Sequence, residues 1–191
     1  MALACEPVAE VPDLYRVIPL TPLRHTPGVR FDVLPGCVLE QVSAVDRVMH
    51  AGDAVSPGAA DDVARPWYMH PYQDDNLIVM HGTRYVDIYT PAHGRVESFV
   101  AAPDRVEHNG EVLHEGAALL TWPRYVFHRI RSCPEEGSAS LNFAVHYDDF
   151  DVKTNFNIYD LDTETGAYRV IREGHRDQPG GGATGQRQSG T

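Results

Sequence analysis

Residue types that bind metals or move protons gather in two stretches of this chain. Residues 67–82, WYMHPYQDDNLIVMHG, carry a tyrosine, a histidine and two aspartates ahead of an apolar run that closes on Gly82. In residues 116–142, GAALLTWPRYVFHRIRSCPEEGSASLN, an apolar run leads to Pro123 and then to His128. His70, Asp75 and His128 would together supply two imidazoles and one carboxylate. That donor set suits iron, manganese, nickel or zinc, and a facial arrangement leaves positions open for substrate and dioxygen. Asp74 competes with Asp75 for the carboxylate role, and Gln73 is a neutral donor beside them. Tyr68 lies two residues before His70, on the same face of a strand. A phenol with an ordinary pKa near 10 ionises only with a metal's help, so Tyr68 is read as a hydrogen-bond donor to substrate or a catalytic acid rather than a ligand.

A further histidine stands on a strand that reads as a wall. In SASLNFAVHY, Ser140, Asn142, Ala144 and His146 share one face and Leu141, Phe143 and Val145 the other. As a pocket wall this face makes His146 a general acid or base; the plain alternative is a solvent face. His50, His93, His108 and His114 fall in or beside turns and read as solvated, and His25 and His175 fall in loop and tail. Arg124, Arg129 and Arg131 lie near His128, but alternation puts Arg129 and Arg131 on the opposite face.

The elements that must position these groups are short strands. Residues 14–20 and 29–34 read as β, separated by a turn-rich segment, TPLRHTPG. Residues 38–50 read as two short strands and 51–66 as loop. From residue 67 onward the pattern is regular, with strands expected at 67–70, 76–80, 85–90, 96–101, 105–108, 111–114, 117–122, 125–131, 140–147, 155–161 and 168–172. Asn109-Gly110 marks a hairpin, because a type I′ turn needs positive φ at both central residues. Many short strands at regular spacing, with no long helix, predict an all-β barrel or sandwich.

Over residues 66–147 the chain resembles the cupins, small β-barrels with two motifs, G-x5-H-x-H-x3,4-E-x6-G and G-x5-P-x-G-x2-H-x3-N. Asp75 stands seven residues before Gly82, at the acidic ligand's place, and His70 stands five before Asp75, at the second histidine's place. Gly116, Pro123 and His128 follow the second motif with one extra residue. Tyr68 replaces the first histidine, and Tyr125 stands where the family has glycine. The resemblance implies a single cupin-type barrel or jelly roll with an N-terminal β extension, holding one divalent metal on His70, Asp75 and His128, with Fe(II) favoured and Zn, Ni or Mn as alternatives. It places His81 outward. It also implies a homodimer. The activity expected is that of a non-haem iron dioxygenase, an oxidoreductase acting on a small organic molecule. The alternatives are lyase, isomerase or cyclase chemistry with Zn, Ni or Mn, using Tyr68 or His146 for proton movement, and a non-catalytic binding cupin with barrel-mouth histidines and no metal.

Length and composition set the bounds. With 191 residues the chain is expected to form one domain over 14–173, with an arm at 1–13 and a disordered Gly-rich tail at 174–191. A net charge of −11 speaks against nucleic acid and anionic membrane partners. No run approaches the roughly 20 apolar residues of a membrane span, and the first residues lack signal-peptide features. Three widely spaced cysteines predict no disulfide framework and a reducing, cytoplasmic setting.

Overall fold

The computed structural model describes residues 6–39 and 41–179. In chain order its strands are β1 (Ala9–Val11), β2 (Tyr15–Pro19), β3 (Thr21–Thr26), β4 (Val29–Val33), β5 (Ala44–His50), β6 (Val55–Ser56), β7 (Trp67–Met69), β8 (Gln73–Gly82) and β9 (Arg84–Tyr89). They continue with β10 (Glu97–Ala102), β11 (Arg105–His108), β12 (Glu111–Glu115), β13 (Ala118–Trp122), β14 (Phe127–Ser132), β15 (Ser138–His146), β16 (Ile158–Leu161) and β17 (Tyr168–Arg172). One short helix, α1 (Val152–Asn155), precedes β16.

Two sheets form a barrel of jelly-roll type. One runs β1-β2-β13-β8-β15-β5; the other runs β12-β11-β10-β9-β14-β7-β16-β17, with β6 paired to β14. Their inner faces meet in an apolar core that includes Leu77, Val79, Val86, Ile88, Phe99 and Leu120. The residue types account for this: β9 alternates Val86 and Ile88 inward, and β13 (ALLTW) is buried along its whole length. Leu119, on the outer face of β13, is covered by Val38 and Ile18. Shortening Leu120 to Ala would cost about 2–5 kcal/mol through lost contacts and a residual cavity.

Turn chemistry behaves as the sequence expects at Asn109 and Gly110, whose φ values of 50° and 87° close the β11–β12 hairpin. Elsewhere the structure corrects the reading. The turn-rich segment is largely β3, which pairs with β4 from Thr21↔Val33 to Thr26↔Val29; a proline is tolerated in such a two-stranded ribbon because both strands are edges. Among the described residues of 38–50 there is one strand, β5, instead of two. The strand expected at 155–161 begins only at Ile158, because α1 occupies the preceding residues. Within the expected arm, Ala9–Val11 pairs with β2. Gly174–Asp177 form a 3-10 turn, and the remainder of the expected tail, 180–191, lies outside the described residues. Cys37 is disulfide-bonded, which amends the expectation of thiols alone, and Cys133 is free. Among the described residues no helix is long and apolar enough to cross a membrane.

Candidate functional site

β7, β8 and β14 bring the sequence-predicted donors together. His70 follows β7, Asp75 lies in β8 and His128 in β14, and β14 pairs with β7 at His128↔Tyr68. All three donors are buried, and one ligand atom from each lies within 4.8 Å of the others. The turn ahead of β14 takes a left-handed residue, Tyr125, at φ 68°. Its N–H donates to the His70 carbonyl oxygen at 2.9 Å, so the position where the family carries glycine keeps the conformation and ties the two histidine-bearing segments.

Each donor is fixed by its neighbours. His70 Nδ1 donates to the carbonyl oxygen of Asn155 at 2.6 Å, and His128 Nδ1 donates to that of Val126 at 3.2 Å. A carbonyl only accepts, so both rings carry hydrogen on Nδ1 and present an Nε2 lone pair when neutral. These Nε2 atoms lie 3.4 Å and 3.9 Å from Asp75 Oδ2, beyond ordinary hydrogen-bond length. Asp75 in turn accepts from Gln73 Nε2 and Asn142 Nδ2, both at 2.7 Å, on Oδ1 and from Trp122 Nε1 at 3.0 Å on Oδ2. Three lone pairs thus converge with no proton of their own between them. Oriented imidazoles and a hydrogen-bonded carboxylate are what a divalent cation requires of its surroundings, so the donor set fits one.

The electrostatics agree with this arrangement. Burial, reinforced by the neighbouring His70, pushes His128 down to about 4, so its ring is neutral at pH 7. Burial alone would raise Asp75; the imidazoles of His70 and His128 and the amides of Gln73 and Asn142 outweigh it and hold the carboxyl below its ordinary value. Tyr68 is raised, chiefly by burial and then by Asp177, and is therefore protonated at neutral pH.

The cluster opens on a cavity of about 200 Å³. Tyr68, His70, Asp75 and His128 all line it, with Phe156 and Trp122 as apolar walls. Asp74 does not take part: it accepts from the Arg124 N–H and the Tyr147 hydroxyl, each at 2.8 Å, outside the cluster. His146 lies apart from this wall. Its ring stacks on Phe150 with centroids 3.7 Å apart, and burial lowers its pKa, opposed by Asp46 and Asp75. His81 is exposed, as expected.

Several polar groups read as solvated are not. His50 lines the cavity, hydrogen-bonds Ser132 Oγ at 3.1 Å, and is pushed down to about 4 by burial and by Arg84. His93 and His108 bond the fully buried Glu97 at 2.6 and 2.7 Å. Asn155 was not singled out, yet it is fully buried: its carbonyl holds His70, and its amide donates to Gln73 Oε1 at 3.2 Å. The alternation of β5 is the signal for His50, because Ala44, Asp46 and Val48 share its face.

No family model matches this chain, and no curated protein matches it. Solved structures do. A dTDP sugar isomerase from Desulfovibrio desulfuricans aligns with a TM-score of 0.52 at 15% identity, covering 71% of this chain and 80% of that one. A sugar 3,4-ketoisomerase from Thermoanaerobacterium thermosaccharolyticum in complex with TDP gives 0.50 at 12%, covering 71% and 82%. The rmlC epimerase of Mycobacterium tuberculosis gives 0.50 at 12%, covering 73% and 67%. At these identities the likeness establishes the fold, a cupin-type β-barrel. The comparisons also correct the functional expectation: the proteins sharing the fold are described as sugar isomerases and an epimerase, not dioxygenases, and the iron-dioxygenase assignment is withdrawn.

Proposed function

We propose that this protein is an isomerase or epimerase that moves a proton next to the carbonyl group of a small, sugar-like hydroxy-carbonyl compound. The observation that carries the reading is the convergence of His70 Nε2, His128 Nε2 and Asp75 Oδ2 on one wall of an open cavity that a protonated phenol also lines. The fold shared with sugar isomerases supports the substrate class by analogy. His70, Asp75 and His128 are assigned a divalent cation, which when bound would polarise a carbonyl oxygen and acidify the neighbouring C–H. Tyr68 is assigned the proton donor. His50, on the sheet facing Tyr68 and His128, lines the same space and is assigned the nitrogen base, its basicity weakened by burial and by Arg84.

The test is deuterium incorporation from D2O into a panel of aldoses, ketoses and their sugar acids, followed by NMR, with protein loaded with Zn, Mn or Ni. Exchange by wild type that falls about 100-fold or more in Tyr68→Phe, the scale of a general acid, supports the reading. No exchange above the protein-free control across the panel overturns it. The expected homodimer is proposed on the free edge of β5, where Val45 and Met49 are exposed; sedimentation as a monomer at working concentration contradicts it.

A further inference from the structure

One wall of the cavity carries a charge that the proton-transfer reading leaves unused. Arg84 opens β9 on the same face as Val86 and Ile88, so its side chain points inward. It is 1% exposed and lines the cavity. Its Nε donates to Ser138 Oγ at 3.0 Å, and a terminal nitrogen donates to the Val48 carbonyl oxygen at 3.2 Å. Among the described residues no carboxylate stands within ion-pair distance of it. The other buried ionic groups differ in this: Glu97 has Arg95 at 2.7 Å, and Asp75 has three hydrogen-bond donors.

The surroundings do not supply the missing charge. Asp75 faces the two imidazoles, and Asp46, which also borders the cavity, accepts from the Asn142 amide at 3.2 Å. Around Arg84 the polar groups are neutral: Ser132 and Ser138 hydroxyls 2.6 Å apart, with His50 beyond Ser132. Burial alone lowers Arg84, to about 10, which leaves it cationic at neutral pH. A buried guanidinium without a counter-charge is destabilising, and an anion placed against it relieves that cost.

We propose that the substrate is an acid whose carboxylate sits against Arg84 while its carbonyl end faces His70, Asp75 and His128. The inference rests on the proposed reaction taking place in this cavity. One guanidinium balances one carboxylate, and its planar fork matches that group. A phosphate dianion carries more charge than one guanidinium balances. The volume of about 200 Å³ is below the roughly 300–1,000 Å³ typical of ligand pockets. It suits a single monosaccharide-sized acid, and the nucleotide of a larger substrate would lie outside it.

Calorimetric titration of the metal-loaded protein tests this, with glucuronate and galacturonate against glucose, galactose and glucose 6-phosphate. The expected result is uronate binding about tenfold or more tighter than the matching neutral sugar, a difference typical of one charge-assisted contact. Arg84→Gln is expected to abolish that preference, read as the ratio of uronate to neutral-sugar affinity. If Arg84→Gln fails to fold, the wild-type comparison of uronate with neutral sugar still decides. Equal binding of acid and neutral sugar, or a preference for the phosphate ester, overturns the assignment. Deuterium exchange on neutral sugars without acid preference sinks this inference alone, whereas uronate binding without exchange sinks the isomerase reading alone.

Discussion

Replacing Gln73 by Met keeps the length of the side chain and removes its polar end. In the native protein Gln73 Nε2 donates to Asp75 Oδ1 at 2.7 Å and Gln73 Oε1 accepts from the Asn155 amide at 3.2 Å. Gln73 is 2% exposed, so water does not replace either bond. The bond to the carboxylate is of the kind worth about 1.5–3 kcal/mol, and the orphaned Asn155 amide adds about 1 kcal/mol. A total of about 2.5–4 kcal/mol lowers Tm by roughly 5–15 °C in a domain of this size. The substitution reaches both sides of the cluster, because Asn155 also supplies the carbonyl that fixes His70 Nδ1. Metal affinity is therefore expected to fall by about 10–100-fold, the usual scale for groups that orient ligands. Thermal melting of the metal-free protein and competition against a fluorescent chelator read the two effects separately. A lower Tm with metal affinity within twofold of wild type would refute the reasoning, since Gln73 would then be core packing and nothing more.

Two further perturbations separate structural carboxylates from ligating ones. Asp75→Asn is expected to abolish metal binding, while Asp74→Asn keeps it and loses only about 1–2 kcal/mol from weakened bonds to Arg124 and Tyr147; retention of metal by Asp75→Asn contradicts this. Glu97 gives a pH signature. Burial would raise it, but His93, Asn109, Arg95 and His108 hold it down to about 2 from an ordinary 4.5. A depressed carboxyl contributes stability that is fully present above pH 4.5 and is lost as pH falls toward 2, here roughly 3 kcal/mol. Urea unfolding of wild type and Glu97→Gln should therefore show a gap above pH 5 that closes by about pH 2.5; a gap independent of pH refutes it.

The fold was legible where strand periodicity and turn chemistry agree. Val86 and Ile88, the buried run of β13 and the positive φ of Asn109 and Gly110 all follow from local rules. His70, His128 and an aspartate of the 74–75 pair were legible as converging groups through the cupin-like motif spacing, and the structure brings His70, Asp75 and His128 together. The choice between Asp74 and Asp75 was not, since they are neighbours. It is decided by pairing: Asp75 lies opposite Trp122 in the β8–β13 register, whose indole then reaches it, while Asp74 meets Tyr147 and Arg124. The remaining surprises involve partners far apart in sequence. Ser138 lies 54 residues from Arg84, and Asn155 lies 85 from His70. A charge on the apolar face of β9 was the one local sign of Arg84. No local pattern marks Asn155 as the residue whose carbonyl sets the His70 tautomer.

The claim on which the account turns is that His70, Asp75 and His128 hold a divalent cation, and elemental analysis by mass spectrometry tests it most directly. Protein purified without an affinity tag, as wild type and as His128→Ala, would be measured as isolated and after reconstitution with Zn, Mn, Ni or Fe. The account predicts about one equivalent per chain in wild type and a fraction of that in the variant, because losing one of three ligands removes most of the affinity. No metal in wild type after reconstitution, or the same content in His128→Ala, would contradict it.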